Sequence, residues 1–517
     1  MTQRTRSEYT VLNMASGFGG YIVNFLVGIV SRMVFTRVFS AEYLGITGLF
    51  SNVLSMLSLA ELGIGSAIVY ALYKPIAENN EGKIASLVKF YGKCYRAIAV
   101  VVLIIGLAVI PFLDLIITDP PAIKEDLRIL YLISLFNTVS GYFFAYRHSL
   151  LQAAQKTYII NITSNVIIVV QNIVQIILML FVGEYIVYSL VIAFFSMLTN
   201  LIVAEFAKRH YPYIKGGKAD PLEKQEKKSI AANVRALTID RIGALLVNST
   251  DNIIITNLSG LVQTGIASNY TLLSTSINTI LEIVFRSVNA SVGNHNALND
   301  NESRLRLFKA INLANFWMYA WASIGFFVVS TDMIRLMFGE SYQLPLSVAF
   351  IIALNMYMVG MQNAVWTYRN TLGLFRYGRY LVLLTAAINL VVSIALGKVW
   401  GVFGILAGSA ISRALTNTWY SPYSLYKYGF GMSAKKYFLR YLGFLVLLVA
   451  TGSVCWGICS FIEFSSLLFT VIVKIVICSV IPNVVFIAAF SKSESFGILK
   501  DFVLRFVNKI TSKLKKA

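Results

Sequence analysis

The sequence predicts an all-α polytopic membrane protein with about 14 transmembrane helices: two six-helix lobes related by a parallel pseudo-repeat, then two C-terminal helices. Three observations lead there. Apolar residues make up 57% of the 517 residues and charged residues only 13%, with a mean hydropathy of +0.71, which is more apolar mass than one aqueous core encloses. Runs of about 20 apolar residues, enough to cross a hydrocarbon layer about 30 Å thick, recur from Val11 to Phe490. The alternation over about ten residues expected of a lipid-facing barrel strand is not seen, so helices are the spanning element.

Taken in order, spans are expected near 10–38, 43–73, 93–117, 127–153, 157–181 and 185–207, forming an N-terminal lobe over residues 1–208. The first is too long for a signal-peptide core and is followed by no clear small-residue cleavage site, so it is retained as a span. A basic cytoplasmic linker occupies 209–229. Spans near 230–257, 262–290, 306–330, 346–368, 380–397 and 401–425 build a C-terminal lobe over 230–426, with only the short break at Lys398 and Gly401 dividing the last pair. A final pair near 440–462 and 465–490 makes up residues 440–490. The tail, 496–517, sets Ile498, Leu499, Phe502, Val503, Phe506, Val507, Ile510 and Leu514 at helical spacing against six cations. Such a helix lies along a membrane surface with its cations facing anionic lipid.

Lysine and arginine collect on alternate sides of successive spans, at Arg4 and Arg6, Lys74 to Arg96, Lys208 to Lys228, Arg376 and Arg379, and Lys435 to Arg440. The opposite loops are short and hold acids: Glu42, Asp119, Glu125, Asp126, Glu184, Asp332, Glu340 and Glu463. Positive residues are retained on the cytoplasmic side, so both termini are expected inside. A shift of 220 residues lays Leu44-Gly45-Ile46, between spans one and two, over Thr264-Gly265-Ile266, between spans seven and eight. An even number of spans per repeat makes the two copies parallel.

Several chemistries are disfavoured. The formal charge of +20 is distributed between spans rather than gathered with aromatics on a soluble module, so nucleic acid is not an expected partner. Gly216-Gly217-Lys218 lacks the upstream glycine and the hydroxyl of a phosphate-binding loop. His148, His210 and His295 have no metal-ligand spacing, and no metal or cofactor is expected. Cys94, Cys455, Cys459 and Cys478 lie in or beside apolar segments, where packing is the expected role. The outer loops are too small for an external catalytic domain, so no catalytic residues are expected.

Ionisable groups at membrane depth are costly and normally face a bundle interior or a wet cavity. Glu61, Asp240, Arg241 and Arg413 fall near mid-span, Arg32 and Asp251 in outer halves, and Arg147, His148, Glu282 and Arg286 in inner halves. Tyr270, Ser274, Asn278, Glu282 and Arg286 recur every four residues along span eight. Asp240, Ala244, Asn248 and Asp251 share a face of span seven, and span one carries Gly17, Gly20, Asn24 and Gly28 before Ser31 and Arg32. These stripes suit the walls of a hydrated cleft. The same pattern also admits plainer readings: Glu282 and Arg286 at i,i+4 neutralise each other, the glycines permit close helix approach, and Arg147 and Arg286 reach to the interface.

The chain resembles the bacterial polysaccharide flippases, relatives of the multidrug and oligosaccharidyl-lipid exporters. The resemblance is carried by Phe39-Ser40-Ala41-Glu42-Tyr43-Leu44-Gly45, Leu57-Ser58-Leu59-Ala60-Glu61-Leu62-Gly63-Ile64-Gly65 and Leu72-Tyr73-Lys74-Pro75. Further matches are Gln155-Lys156-Thr157-Tyr158, Ser249-Thr250-Asp251-Asn252, Asn269-Tyr270 and Gly293-Asn294. It implies two six-helix lobes around a central cavity, two extra helices, and movement of a polyprenyl-pyrophosphate-linked oligosaccharide between leaflets of the bacterial cytoplasmic membrane. A polysaccharide polymerase and export machinery would be its partners. Arginine suits a diphosphate through forked, charge-assisted hydrogen bonds, which makes Arg32, Arg147, Arg241, Arg286 and Arg413 candidate headgroup contacts. Glu61, Asp240, Asp251 and Glu282 would balance those charges or bind a coupling proton or sodium ion, with Asn24, Asn248, Tyr270, Ser274 and Asn278 as polar lining. An ion-coupled multidrug antiporter shares the twelve-helix core but not the last two spans and corner motifs; a membrane glycosyltransferase or polymerase is the rival from another class.

Overall fold

In the computed structural model, the residues described are 6–58, 64–113, 117, 121–214, 222, 250–283, 285, 292, 300–374, 377–378 and 380–501. Helices dominate them, and the chain divides into two compact units, Met1–Gly265 and Ile266–Ala517. The first unit contains α1 (Arg6–Val38), α2 (Ala41–Leu57), α3 (Ile64–Ala77), α4 (Glu81–Val109), α5 (Leu127–Tyr142), α6 (Ala145–Ala153), α7 (Thr157–Phe181) and α8 (Tyr185–His210). Helix α9 covers 250–283 and so belongs to both units. The second unit continues with α10 (Asn301–Phe338), α11 (Leu346–Thr371), α12 (Leu381–Leu415), α13 (Asn417–Ser424), α14 (Lys435–Ser460) and α15 (Leu467–Phe490).

Among the described residues, nine helices are long and apolar enough to cross a membrane, or ten if α5 and α6, bent by 44° at their junction, count as one span. The seventh expected span, 230–257, lies outside the described residues up to 249, as do most of the linker and the tail beyond 501. The second expected span is held as two helices, α2 and α3, neither long enough to cross alone. One expectation is corrected: the ninth span does not end at 330. Apolar Ile334, Leu336, Met337 and Phe338 carry α10 on to Gly339, which places Asp332 within the helix rather than in an outer loop.

Helix α12 is two helical arms folded at Gly401, whose φ of 56° and ψ of −137° are not helical. Thr385 and Thr416 would stand about 46 Å apart on a straight helix at 1.5 Å per residue, yet their hydroxyls are 2.8 Å apart. Asn389 donates to Ser409 (2.7 Å) and the Ser393 hydroxyl to the carbonyl of Ile405 (2.9 Å), so the arms run antiparallel about the break expected between 398 and 401. At Gly404 and Gly408 an added Cβ would fall 2.1 Å from the Leu396 carbonyl oxygen and 2.3 Å from the Ser393 hydroxyl, so the arms meet backbone to backbone.

A second corner lies at Gly260 (φ 88°), where the Thr256 and Thr264 hydroxyls meet at 2.9 Å. Just beyond it α9 crosses α2. A Cβ on Gly45 would sit 2.1 Å from the Leu261 carbonyl oxygen, and one on Gly265 would sit 2.0 Å from that of Ala41. Under the 220-residue shift Ala41 corresponds to Leu261 and Gly45 to Gly265, so the two contacts exchange places. Reciprocity of this kind is the signature of a two-fold relation between the crossing segments.

Candidate functional site

The α1–α7 seam takes up Gly17 and Gly20 of the first span, whereas a Cβ on Gly28 would meet nothing within 4 Å. Asn24 donates to Asn165 (2.7 Å), Asn165 to the Ser16 carbonyl (3.0 Å) and Asn161 to the Ser16 hydroxyl (3.2 Å). A Cβ on Gly20 would land 1.5 Å from the Asn165 amide nitrogen, so Gly20 is there for close approach, and Asn24 belongs to a helix–helix contact. Asn13 clamps the α6–α7 turn. Its amide donates to the Gln155 carbonyl (2.9 Å), and its oxygen accepts from the Tyr158 amide (2.6 Å), around a left-handed Gln155 (φ 60°). Beside it Lys156 lies 4.9 Å from the Tyr211 ring centroid, and burial pulls its ammonium below the ordinary lysine range.

Arg32 is half-buried at the edge of an aromatic cluster. Its charge lies near Tyr188, which has Gln175 as a hydrogen-bond partner. The Phe35 and Tyr188 rings are 5.0 Å apart, and Tyr43 and Tyr185 are 4.4 Å apart. The Tyr43 hydroxyl donates to Glu125 at 2.5 Å, and Thr47 meets Tyr185 at 2.7 Å. Arg147 is half-buried on α6, just past the bend, with its guanidinium 5.1 Å from the Tyr146 ring and no carboxylate paired with it among the described residues. Next to it, Nε2 of His148 is buried without a hydrogen-bond partner. Asp251 is half-buried near the start of α9.

In the second unit the four-residue stripe of α9 runs from buried to half-exposed. Tyr270 is fully enclosed, its hydroxyl accepting from the Leu344 amide (3.0 Å), and Ser274 is buried with its hydroxyl on the Thr271 carbonyl. Both are therefore held by packing and hydrogen bonds. Asn278 and Glu282 are half-buried, and the Asn278 carboxamide oxygen has no partner. Glu282 lies near Tyr319, whose hydroxyl accepts from Asn363 at 2.8 Å. The Tyr319 ring lies over Gly360, where a Cβ would be 2.0 Å from the ring. Tyr319 and Asn363 thus join α10 and α11 through a phenol and an amide, with the Glu282 carboxylate of α9 nearby. Arg413, half-buried on the second arm of α12, donates to Asn355, whose amide is fixed on the carbonyls of Ile351 (3.0 Å) and Leu406 (2.9 Å). Glu61, Asp240, Arg241, Asn248 and Arg286 lie outside the described residues.

Three features went unread in the sequence. Lys474 on α15 pairs with Asp332 on α10 at 2.6 Å, both side chains largely buried. Arg369 near the end of α11 donates to the Ser421 hydroxyl (3.0 Å) and to the Tyr377 carbonyl. Cys455 and Cys459 on α14 both approach Cys478 on α15, a packed group of thiols. An apolar groove of about 350 Å³ between α10, α11 and α14 is lined by Phe327, Phe350, Leu448 and Trp456, with little polar surface. Among the described residues no cluster of three or more metal-ligating side chains occurs.

The family model for polysaccharide biosynthesis protein matches residues 11–292, more than half of the chain. The chain belongs to that family. Among solved structures, this family member is similar to the lipid II flippase MurJ in an inward closed conformation, at 12% identity and a TM-score of 0.63, over 93% of this chain and 99% of that one. A variant of the Vibrio cholerae MATE transporter VcmN aligns at 12% identity and a TM-score of 0.53, over 81% and 97% of the two chains. An inward-facing multidrug resistance MATE family transporter of the MOP superfamily aligns at 12% and 0.53, over 76% and 91%. At such identities the likeness establishes the fold alone, that of a multi-pass helical membrane protein. A search of curated proteins by sequence returns no match.

Proposed function

We propose that this family member is a flippase that carries a polyprenyl-pyrophosphate-linked oligosaccharide from the inner to the outer leaflet of a bacterial cytoplasmic membrane, for capsule, exopolysaccharide or O-antigen synthesis. The observation that carries the reading is Arg147: a half-buried guanidinium in a bent helix with no carboxylate paired to it among the described residues. Cations at membrane depth that the protein itself leaves unneutralised suit an anionic cargo. Arg32, Arg413 and, outside the described residues, Arg241 and Arg286 are the further headgroup candidates. Glu282 with Tyr319 and Asn363 provides a carboxylate that could carry a coupling proton or sodium ion. The cycle is alternating access, loading inside and releasing outside, with no covalent step. A polymerase that consumes the cargo outside would pull it forward.

Reconstitution with a fluorescent lipid-linked oligosaccharide tests this reading. Transbilayer movement without hydrolysis supports it, and its loss in Arg147→Ala at unchanged protein level assigns the residue. A protein that moves no lipid-linked sugar but exchanges small cationic dyes for ions is instead the antiporter that the likeness to MATE transporters would favour.

A further inference from the structure

The end of α11 meets α13 and a π-helical turn (Leu425–Gly429) in a chain of cations and tyrosines. Arg369 starts it, with its guanidinium fixed on Ser421 and on the backbone carbonyl of Tyr377. The Tyr377 ring stacks on that of Tyr428, with centroids 3.8 Å apart and planes 8° from parallel. The far end is the Lys427 ammonium, 5.3 Å from the Tyr428 ring and 5.4 Å from that of Tyr423, whose hydroxyl it meets at 2.9 Å. No acidic side chain pairs with Arg369 or Lys427 among the described residues. Nε of Arg369 is buried and unpartnered.

Exposed Trp419 and Tyr380 lie close by in the sequence, the aromatic composition of a membrane interface, and the lysine and arginine bias puts this end of α11 on the cytoplasmic side. An interfacial anchor requires only the aromatics. Here two positive centres are also coupled through a fixed ring stack, and the π-helical turn that presents Lys427 and Tyr428 is a backbone form found often at functional sites. Lys427 is exposed and has donors to spare, so it can bind phosphate directly, while Arg369 acts behind it by fixing the Tyr377 loop.

The geometry points to a cytoplasmic loading site for the pyrophosphate of a polyprenyl lipid, where cargo is captured before it enters the transport path. This rests on the flippase reading above. A diphosphate carries more charge than the single phosphodiester of bulk anionic lipid, and its ammonium contact is charge-assisted.

The test uses the full-length protein in nanodiscs, titrated with a long-chain polyprenyl pyrophosphate and competed with phosphatidylglycerol, together with transport in proteoliposomes. Lys427→Gln and Tyr428→Leu are each expected to weaken pyrophosphate-lipid binding about tenfold, and to raise the half-saturating substrate concentration more than they lower the maximal rate. Lys427→Arg should restore binding, and Lys436→Gln, a neighbouring exposed cation, should not weaken it. Wild-type affinity in Lys427→Gln, equal competition by phosphatidylglycerol, or an equal loss in Lys436→Gln would overturn the site while transport by the wild type stands. A wild-type protein that neither binds nor moves the lipid would overturn both the site and the flippase reading.

Discussion

Lys474 sits in α15, the most apolar spanning helix among the described residues, and is matched by Asp332 with 13% and 22% of the two side chains exposed. A charge pair in such surroundings gains little net stability over apolar residues of similar size, but removing one partner strands the other, at about 3–5 kcal/mol. Lys474→Met should therefore lower the amount of folded protein sharply, and adding Asp332→Leu should recover most of it, as read by fluorescence-detected size exclusion. A double variant as poorly folded as the single would show that the pair does more than neutralise itself. In the sequence Lys474 did not stand out and Asp332 read as an outer-loop acid. The apolar run around Lys474 hides one charge, and the polar Ser330-Thr331-Asp332 looks like a span's end although the helix continues to Phe338. Arg32, Glu282 and Arg413 were legible as charges within apolar runs; their neighbours were not, since Tyr188, Tyr319 and Asn355 come from distant segments.

At the level of helices, several described residues that carry the family resemblance mark corners and crossings. Gln155-Lys156-Thr157-Tyr158 is the turn bracketed by Asn13, and Leu44-Gly45 is where α2 meets α9. Tyr270 of the Asn269-Tyr270 pair anchors the segment entering α11 through the Leu344 amide. Such motifs report a fold because backbone corners tolerate few residues, and for the same reason they say little about cargo. The crossing itself is testable. Gly45→Val and Gly265→Val should each lower the melting temperature of the purified protein, because neither added Cβ fits without backbone displacement. Once one substitution has separated the helices the second has less to disturb, so the double variant should lose less than the sum of the two. Full additivity would mean that the two contacts are not parts of one crossing.

For the whole molecule, the direction of transport depends on which face is inside, and the charge bias of the sequence predicts that face. Lys83 at the start of α4 and Lys427 beyond α13 are assigned to one side, Glu184 before α8 and Glu463 between α14 and α15 to the other. Cys455, Cys459 and Cys478 are buried and Cys94 is half-buried, so a Cys94→Ser background leaves introduced cysteines as the reactive ones. A membrane-impermeant maleimide should label Glu184→Cys and Glu463→Cys in intact cells, and Lys83→Cys and Lys427→Cys only after permeabilisation. The same outcome sets the tyrosine and cation chain around Lys427 on the leaflet where a lipid-linked sugar is assembled. Labelling of Lys427→Cys from outside would invert the molecule and turn the proposed loading site into a release site. Labelling of only one residue of either pair would instead break the alternation of α4, α8 and the last two helices, and with it the even number of spans on which a parallel repeat depends.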